Sequence, residues 1–336
     1  MRAAWVVELV VSVGPMSAPV VAEIVRSGFV EGHHYGSAVA IDASGAVLMQ
    51  YGDVTSPILP RSCNKPVQAL GMLHCGLDLH GELLALACAS HSGEPFHVAG
   101  VRQILASAGL TEADLQTPAA YPLDDEARDA VLREGGGKAS ILMNCSGKHA
   151  AMLATCVQNG WSTHDYLSPQ HPLQVALAQT FGALSQESLL TPAPTDGCGA
   201  PIFTASLVGL ARAFSTLAAA TSGPEFTIAE AIRRHPEFVS GTHRDEHALL
   251  TAIPGAIGKA GAESCYVVAL SDGRAVAVKQ DDGAPRVRPV VMAAILERLG
   301  VFDEPGVDVA KARATGVLEL TGGAQVVGEI RASLPL

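Results

Sequence analysis

The sequence predicts an α/β (α+β) fold in which strands from both ends of the chain share one mostly antiparallel sheet and the middle supplies a helical layer over it. Three observations carry this. Residues 37–41 and 46–51 flank the turn cluster Asp42-Ala43-Ser44-Gly45, which reads as a hairpin near the start. Residues 265–270 and 274–279, rich in Val and Ala, flank Ser271-Asp272-Gly273 and give the strongest hairpin signal of the chain near its end. Between the two, apolar runs are of helical rather than strand length.

At the N-terminus, residues 1–13 are apolar enough to suggest an export signal, but Glu8 interrupts the run, only Arg2 precedes it and no small-residue cleavage site follows. Met16 offers a second start, which would make 1–15 an extension outside the fold. The first hairpin feeds a helix that begins near Ser62. An apolar segment at 82–88 leads into a small polar loop at 89–95, and 96–110 reads as an amphipathic helix ending at Gly109. Residues 117–137 are punctuated by Pro, Asp and Gly, with room for a short helix around 127–133. Helices are then expected over 148–158, stopped by Asn159-Gly160, over 172–185, within the Ala-rich run 200–221, and over 227–234. After the loop 241–244 and the second hairpin, a helix near 289–299 and a strand near 325–331 close the chain. The helical portion spans about 65–240, and with no repeat or low-complexity linker, 1–336 reads as a single domain.

With 336 residues, 48% of them apolar, the chain can bury a large core. It carries 22 basic and 33 acidic residues, a net charge of −11, and no Lys/Arg-rich run, which excludes nucleic acid as the expected partner. No run approaches a membrane span. Seven cysteines, an odd number in a chain of this size, do not make a disulfide framework; they suit a reducing cytoplasm, where thiols are core residues, ligands or nucleophiles.

The chemistry begins at Pro60-Arg61-Ser62-Cys63-Asn64-Lys65-Pro66. Ser62 and Lys65 are three residues apart and so share one face of a helix. If the Lys65 amine is neutral, it can take the Ser62 proton as the hydroxyl attacks a carbonyl. Proline is tolerated only in a first helical turn, so Pro66 places Ser62 at the helix N-terminus, where free N–H groups favour developing negative charge. An N-capping serine followed by a solvated lysine would produce the same tetrapeptide. The order of a hairpin, a Ser-x-x-Lys helix, a helical insert and a returning sheet is similar to that of penicillin-binding proteins and serine β-lactamases, an analogy of fold alone.

Four further stretches decide the reading: 87–94 (Ala-Cys-Ala-Ser-His-Ser-Gly-Glu), 143–149 (Met-Asn-Cys-Ser-Gly-Lys-His), 195–201 (Thr-Asp-Gly-Cys-Gly-Ala-Pro) and 257–263 (Ile-Gly-Lys-Ala-Gly-Ala-Glu). With the Ser62 stretch they resemble the Rhizobium etli-type L-asparaginases of the asparaginase II family across nearly the whole chain. The resemblance implies a serine-β-lactamase-like fold, hydrolysis of L-asparagine to aspartate and ammonia, two Ser/Lys pairs and a zinc site. Ser62 with Lys65 would be the first pair. Lys259 would pair with a serine of the 90–92 loop, Ser90 by preference and Ser92 in reserve; Lys259-Ala260-Gly261 is similar to the Lys-Thr-Gly element of penicillin-binding enzymes. Two neighbouring lysines would each lower the other's proton affinity and so supply a neutral base.

The resemblance makes Cys145, Lys148 and Cys198 the zinc ligands. Residue chemistry agrees in part, since two thiolates and an amine can hold a soft ion with one position open, although a lysine must first lose its proton. Asp196 is implied as a partner of substrate or of the metal site, and Arg61, Asn144, His149 and Arg244 are expected to contact substrate. Arg244 lies in Gly241-Thr242-His243-Arg244-Asp245, where a Thr-His step departs from the family's Gly-rich loop and weakens the assignment. The other thiols, Cys63, Cys75, Cys88, Cys156 and Cys265, read as small core residues. The expectation is a cytoplasmic homodimer acting on L-asparagine. The alternative is a β-lactamase-like or other serine amidohydrolase acting on a different amide, glutamine included, against which stands the lack of a Ser-Asp-Asn element.

Overall fold

The computed structural model describes residues 18–334; the expectations for the first 16 residues lie outside the described residues. Eight strands form one sheet: β1 (Val20–Arg26), β2 (Phe29–Ile41), β3 (Val47–Tyr51), β4 (Ile257–Ala260), β5 (Cys265–Ala269), β6 (Ala275–Gln280), β7 (Leu318–Gly322) and β8 (Gln325–Ala332). Their order is β4-β5-β6-β2-β1-β8-β7, with β3 added beside β2, and the strand pairs are antiparallel. The two termini therefore interleave: β2 from the start of the chain pairs β6 from its end, with Ala38 opposite Val278. β2 starts exposed at residues 29–31, alternates over 33–36 and is continuously buried over 38–41, where β3 lies on one side and β6 on the other.

The helices are α1 (Lys65–His74), α2 (Gly81–Ala87), α3 (Pro95–Ser107), α4 (Asp125–Arg133), α5 (Ser146–Gln158), α6 (Pro172–Ser185), α7 (Leu207–Ala219), α8 (Gly223–Arg234), α9 (Pro236–Val239), α10 (Asp245–Ala252), α11 (Arg288–Arg298) and α12 (Val309–Thr315). Those from α1 to α10 make the helical portion, and one buried apolar cluster runs from the sheet residues Val39, Val267 and Val278 through Leu70, Leu153 and Phe214 of the helices. The expected α/β class, with an antiparallel sheet from both ends and helices between, is what forms.

The second hairpin and the helices over 148–158, 172–185 and 289–299 lie within about two residues of expectation; the first hairpin turns where expected, but its leading strand β2 begins at Phe29, eight residues before the expected start at 37. The apolar segment 82–88 is helical. The Ala-rich run 200–221 is helical only from Leu207, because Ser206 sets the start: its Oγ accepts from Gly209 N at 2.9 Å while its hydroxyl donates to Glu187. Strands β1 and β7 carry no sequence signal of their own. Ser206→Ala is expected to lower stability by about 1–2 kcal/mol, through loss of the cap and of a donor to Glu187, with turnover per folded molecule unchanged; urea unfolding beside a specific-activity assay checks both.

Candidate active site

The turn carrying Ser62 is held between the sheet edge and the helical layer. Arg61–Asn64 form one 3-10 turn, and α1 follows from Lys65 with Pro66 in its first turn, so the hydroxyl sits at the helix N-terminus as the sequence predicts. Arg61 has φ +52°, the left-handed region that a non-glycine residue occupies at a cost. On one side β4 presses in: the Cys63 thiol donates to the Lys259 carbonyl at 3.0 Å, and a side chain on Gly261 would lie 2.7 Å from the Pro60 carbonyl oxygen and 3.3 Å from the Ser62 nitrogen. Gly261 is glycine because the backbone of the turn occupies that space. On the other side Asn64 Nδ2 donates to the Phe203 carbonyl at 3.0 Å. Ser62 itself is half-buried, and its hydroxyl has no hydrogen-bond partner among the described residues.

Lys65 is buried, and its Nζ donates to the Ala89 carbonyl at 2.6 Å and to Ser90 Oγ at 2.9 Å. The loop after α2 brings Ser90 there: Ser90 N donates to Val239 O, His91 N to Asn144 O, and His91 Nε2 bonds Ser146 Oγ at 2.8 Å. A Cβ on Gly147 would meet the Leu86 carbonyl at 2.6 Å, so this glycine allows α5 to dock on the end of α2 and carry Asn144 to the loop. Ser92 points its hydroxyl to the Ser240 carbonyl at 2.7 Å.

Ser90 and Lys259, which the resemblance pairs, are not hydrogen-bonded to each other. Lys259 Nζ donates to Glu246 Oε1 at 2.9 Å, to Oε2 at 3.3 Å and to the Ala260 carbonyl at 2.7 Å, with both charged side chains inaccessible to solvent. Burial pushes the Lys259 pKa down and Lys65 adds to that, while Glu246 opposes both. The reason is positional: α10 delivers a carboxylate to the back of β4, and Ser90 is bonded to Lys65.

Cys145, Lys148 and Cys198 do converge. Cys145 and Cys198 share a buried cluster with Ala200, Lys148 Nζ lies 3.3 Å from Cys198 Sγ, and the Cys145 thiol donates to Asn144 Oδ1 at 3.0 Å. The neighbouring Cys145 and the Lys148 amine hold Cys198 far below the ordinary thiol range, and Cys145 is correspondingly pushed up. Although burial opposes a charge on Lys148, the two sulfurs and Asp196 raise its pKa. Asp196 links this cluster to the serine turn, since Arg61 Nε donates to Asp196 Oδ1 at 2.8 Å and Arg61 Nη1 reaches Glu263 at 3.4 Å. His149 Nδ1 bonds the Tyr166 hydroxyl at 2.7 Å and leaves Nε2 buried without a partner.

Among the described residues no three or more His, Cys, Asp or Glu side chains are grouped to hold a metal ion, so any site here needs the lysine amine as a donor. Two sulfurs and an amine meeting in one buried pocket, beside an imidazole nitrogen lacking a partner, fit a soft divalent ion such as zinc.

The 241–244 loop is tied to the 90–94 loop by Thr242, whose N and Oγ1 donate to Glu94 at 2.9 and 2.7 Å, and to Asp124 by His243 at 2.9 Å. Arg244 is half-buried; its carbonyl accepts from Ala248 N at 3.0 Å, and its side chain makes no hydrogen bond or ion pair among the described residues. Sequence reasoning missed Glu246 and Glu263, and also Arg288, which bonds Asp245 at 3.1 Å and the Gly261 carbonyl at 3.4 Å. No spacing signal links positions 246 and 259 or 61 and 263.

The class of this protein is that of amide-cleaving hydrolases. The L-asparaginase II family model matches residues 22–332, and the chain belongs to that family. No curated protein matches the sequence. Among solved structures, a β-lactamase from Mycobacterium bovis is 15% identical, with 78% of this chain and 94% of that one covered and a TM-score of 0.37. A structure described as a hydrolase with promiscuous acyltransferase activity is 12% identical, with 84% and 93% covered and a TM-score of 0.40.

Two outcomes follow from the geometry. Gly261→Ala must move the Ser62 turn, and a displacement of reacting groups on the order of 1 Å can cost about a hundredfold, so kcat is expected to fall at least tenfold while circular dichroism stays unchanged. Burial pushes the His97 pKa down to about 4 from 6.5. A buried neutral histidine takes up its proton later than the unfolded chain does, so its contribution to stability is lost as pH falls from about 6.5 towards 4, by about 3 kcal/mol at the end of that window. Unfolding at pH 7 and 4.5 is expected to show a smaller loss for His97→Gln than for the parent.

Proposed function

We propose that the chain is an L-asparaginase of the Rhizobium etli type, in which Ser62 is the nucleophile and Lys65 its base. The observation that carries this is a Ser62 hydroxyl at a helix N-terminus, without a partner among the described residues, three residues before a buried Lys65 amine whose contacts are a carbonyl and a second hydroxyl, Ser90. Ser62 Oγ bonds to the side-chain amide carbon of L-asparagine as its proton passes to neutral Lys65. Lys65, directly or through Ser90, returns that proton to the amide nitrogen; the C–N bond breaks and ammonia leaves an acyl-enzyme. A water molecule, deprotonated by the same amine, then releases aspartate and restores Ser62. Catalytic hydrogen bonds are often absent before substrate binds, so the missing Ser62–Lys65 bond does not oppose this.

Arg61, Asn144, Asp196, His149 and Arg244 are proposed to bind substrate. The support is strongest for Asp196, which Arg61 holds between the serine turn and Cys198. Cys145, Lys148 and Cys198 would hold zinc, and the ion would supply a positive charge that orients a polar group of the substrate. A homodimer acting in the cytoplasm remains the proposed setting; among the described residues no helix is long and apolar enough to cross a membrane.

The test is ammonia release from asparagine and from glutamine, run beside hydrolysis of a chromogenic lactam. Turnover of asparagine is expected; turnover of the lactam alone would favour the acylase reading. Ser62→Ala should abolish turnover with the fold intact, and Lys65→Met should match it because the pair acts as a unit. A Ser62→Ala variant at near-parental rate removes Ser62 from the mechanism. Purified protein is expected to contain about one zinc per chain, lost in Cys145→Ala and in Cys198→Ala because a three-ligand site can spare neither. Metal analysis showing full zinc in both variants would place the ligands elsewhere.

A further inference from the structure

We propose that Glu246 is a positioning residue that divides the labour between the two lysines, holding Lys259 as a fixed cation and leaving Lys65 as the amine that exchanges a proton with Ser62. The inference rests on the reading of Ser62 as nucleophile and deepens it.

The argument is one of hydrogen-bond valence. Lys259 Nζ faces acceptors in every direction in which it has a partner: both Glu246 oxygens and the Ala260 carbonyl. Glu246 Oε1 also accepts from Ala260 N at 3.1 Å, which satisfies an ionised carboxylate. Against an ionised Glu246, a neutral Lys259 would turn a lone pair towards one of these oxygens, in a place neither side chain can leave for water, whereas an ammonium donates to each; the alternative, a neutral amine accepting from a protonated Glu246, is the outcome that overturns the proposal. Lys65 differs. Ala89 O only accepts, but Ser90 Oγ can donate or accept, so Lys65 stays satisfied in either protonation state. Among the described residues no carboxylate is hydrogen-bonded to it.

The other groups around Lys259 strengthen the need for Glu246. Lys65 from α1 repels the Lys259 charge, Cys63 lies on the turn before α1, and Cys88 ends α2 nearby. Tyr266 of β5, Asp245 of α10 and Arg288 of α11 lie around the carboxylate, the last two paired with each other. Burial and Lys65 both favour loss of the Lys259 proton and the net shift is downward; Glu246 is the larger of the two groups that oppose it, the other being Cys63.

The experiment separates charge state from activity. The chain has only six lysines, so the 13Cε and 15Nζ signals of lysine-labelled protein can be assigned by single substitution. At the pH of maximal turnover the Lys259 signal is expected at the ammonium position, and in Glu246→Gln at the neutral position at the same pH. A neutral Lys259 in the parent protein overturns the proposal, whatever the variants do. Kinetically, Lys259→Arg should keep at least about a tenth of parental kcat, because an arginine can be a cation but not a base, whereas Lys65→Arg should fall to background. A folded Lys259→Arg as inactive as Lys65→Arg also overturns it. If Ser62→Ala keeps turnover, the nucleophile assignment fails, and the Lys259 signal still reports separately on Glu246.

Discussion

Three lysine amines, those of Lys65, Lys148 and Lys259, are buried within one core at 2% exposure or less, and that constraint shapes the rest of the site. An ammonium removed from water costs several kcal/mol unless it is paired or gives up its proton. Lys259 is paired with the carboxylate of Glu246, and Lys148 with the sulfur of Cys198. Lys65 has only a carbonyl and a hydroxyl. It is the buried amine without an acidic partner in hydrogen-bond contact among the described residues, and it lies one helical turn from the unpartnered hydroxyl of Ser62.

The fold serves this arrangement by delivering each partner from a different element. The edge strand β4 brings Lys259 and the bare backbone of Gly261 against the serine turn, and α10 brings Glu246 behind it. The loop after α2 supplies Ser90, the start of α5 supplies Cys145 and Lys148, and the 195–199 turn supplies Asp196 and Cys198. Arg61, at a strained φ, ties the last of these to the Ser62 turn. Membership of the L-asparaginase II family and the amidohydrolase class it carries agree with the proposed acyl transfer at Ser62.

What could be read from the sequence was whatever lies within one segment. The three-residue step from Ser62 to Lys65, its place at a helix start and the like step from Cys145 to Lys148 follow from helical periodicity, and both hairpins follow from their turns. Partnerships across segments were not legible that way: Lys65 with Ser90 and Lys259 with Glu246 join elements whose approach is set by tertiary packing. The resemblance anticipated which residues gather but paired Lys259 with Ser90. Residues 82–88 were ambiguous because a short run, apolar after Glu82, fits either state, and β7 was silent because most of its side chains are exposed and follow no clean alternation.

The account stands on a covalent intermediate at Ser62, and trapping it is the most direct test. Enzyme mixed with excess L-asparagine, acid-quenched within the first turnovers and digested, should yield the peptide containing Ser62 heavier by one aspartyl acyl group, with no such adduct in Ser62→Ala. Acylation of Ser90 instead, or undiminished turnover with every serine unmodified at all quench times and in Ser62→Ala, would contradict it.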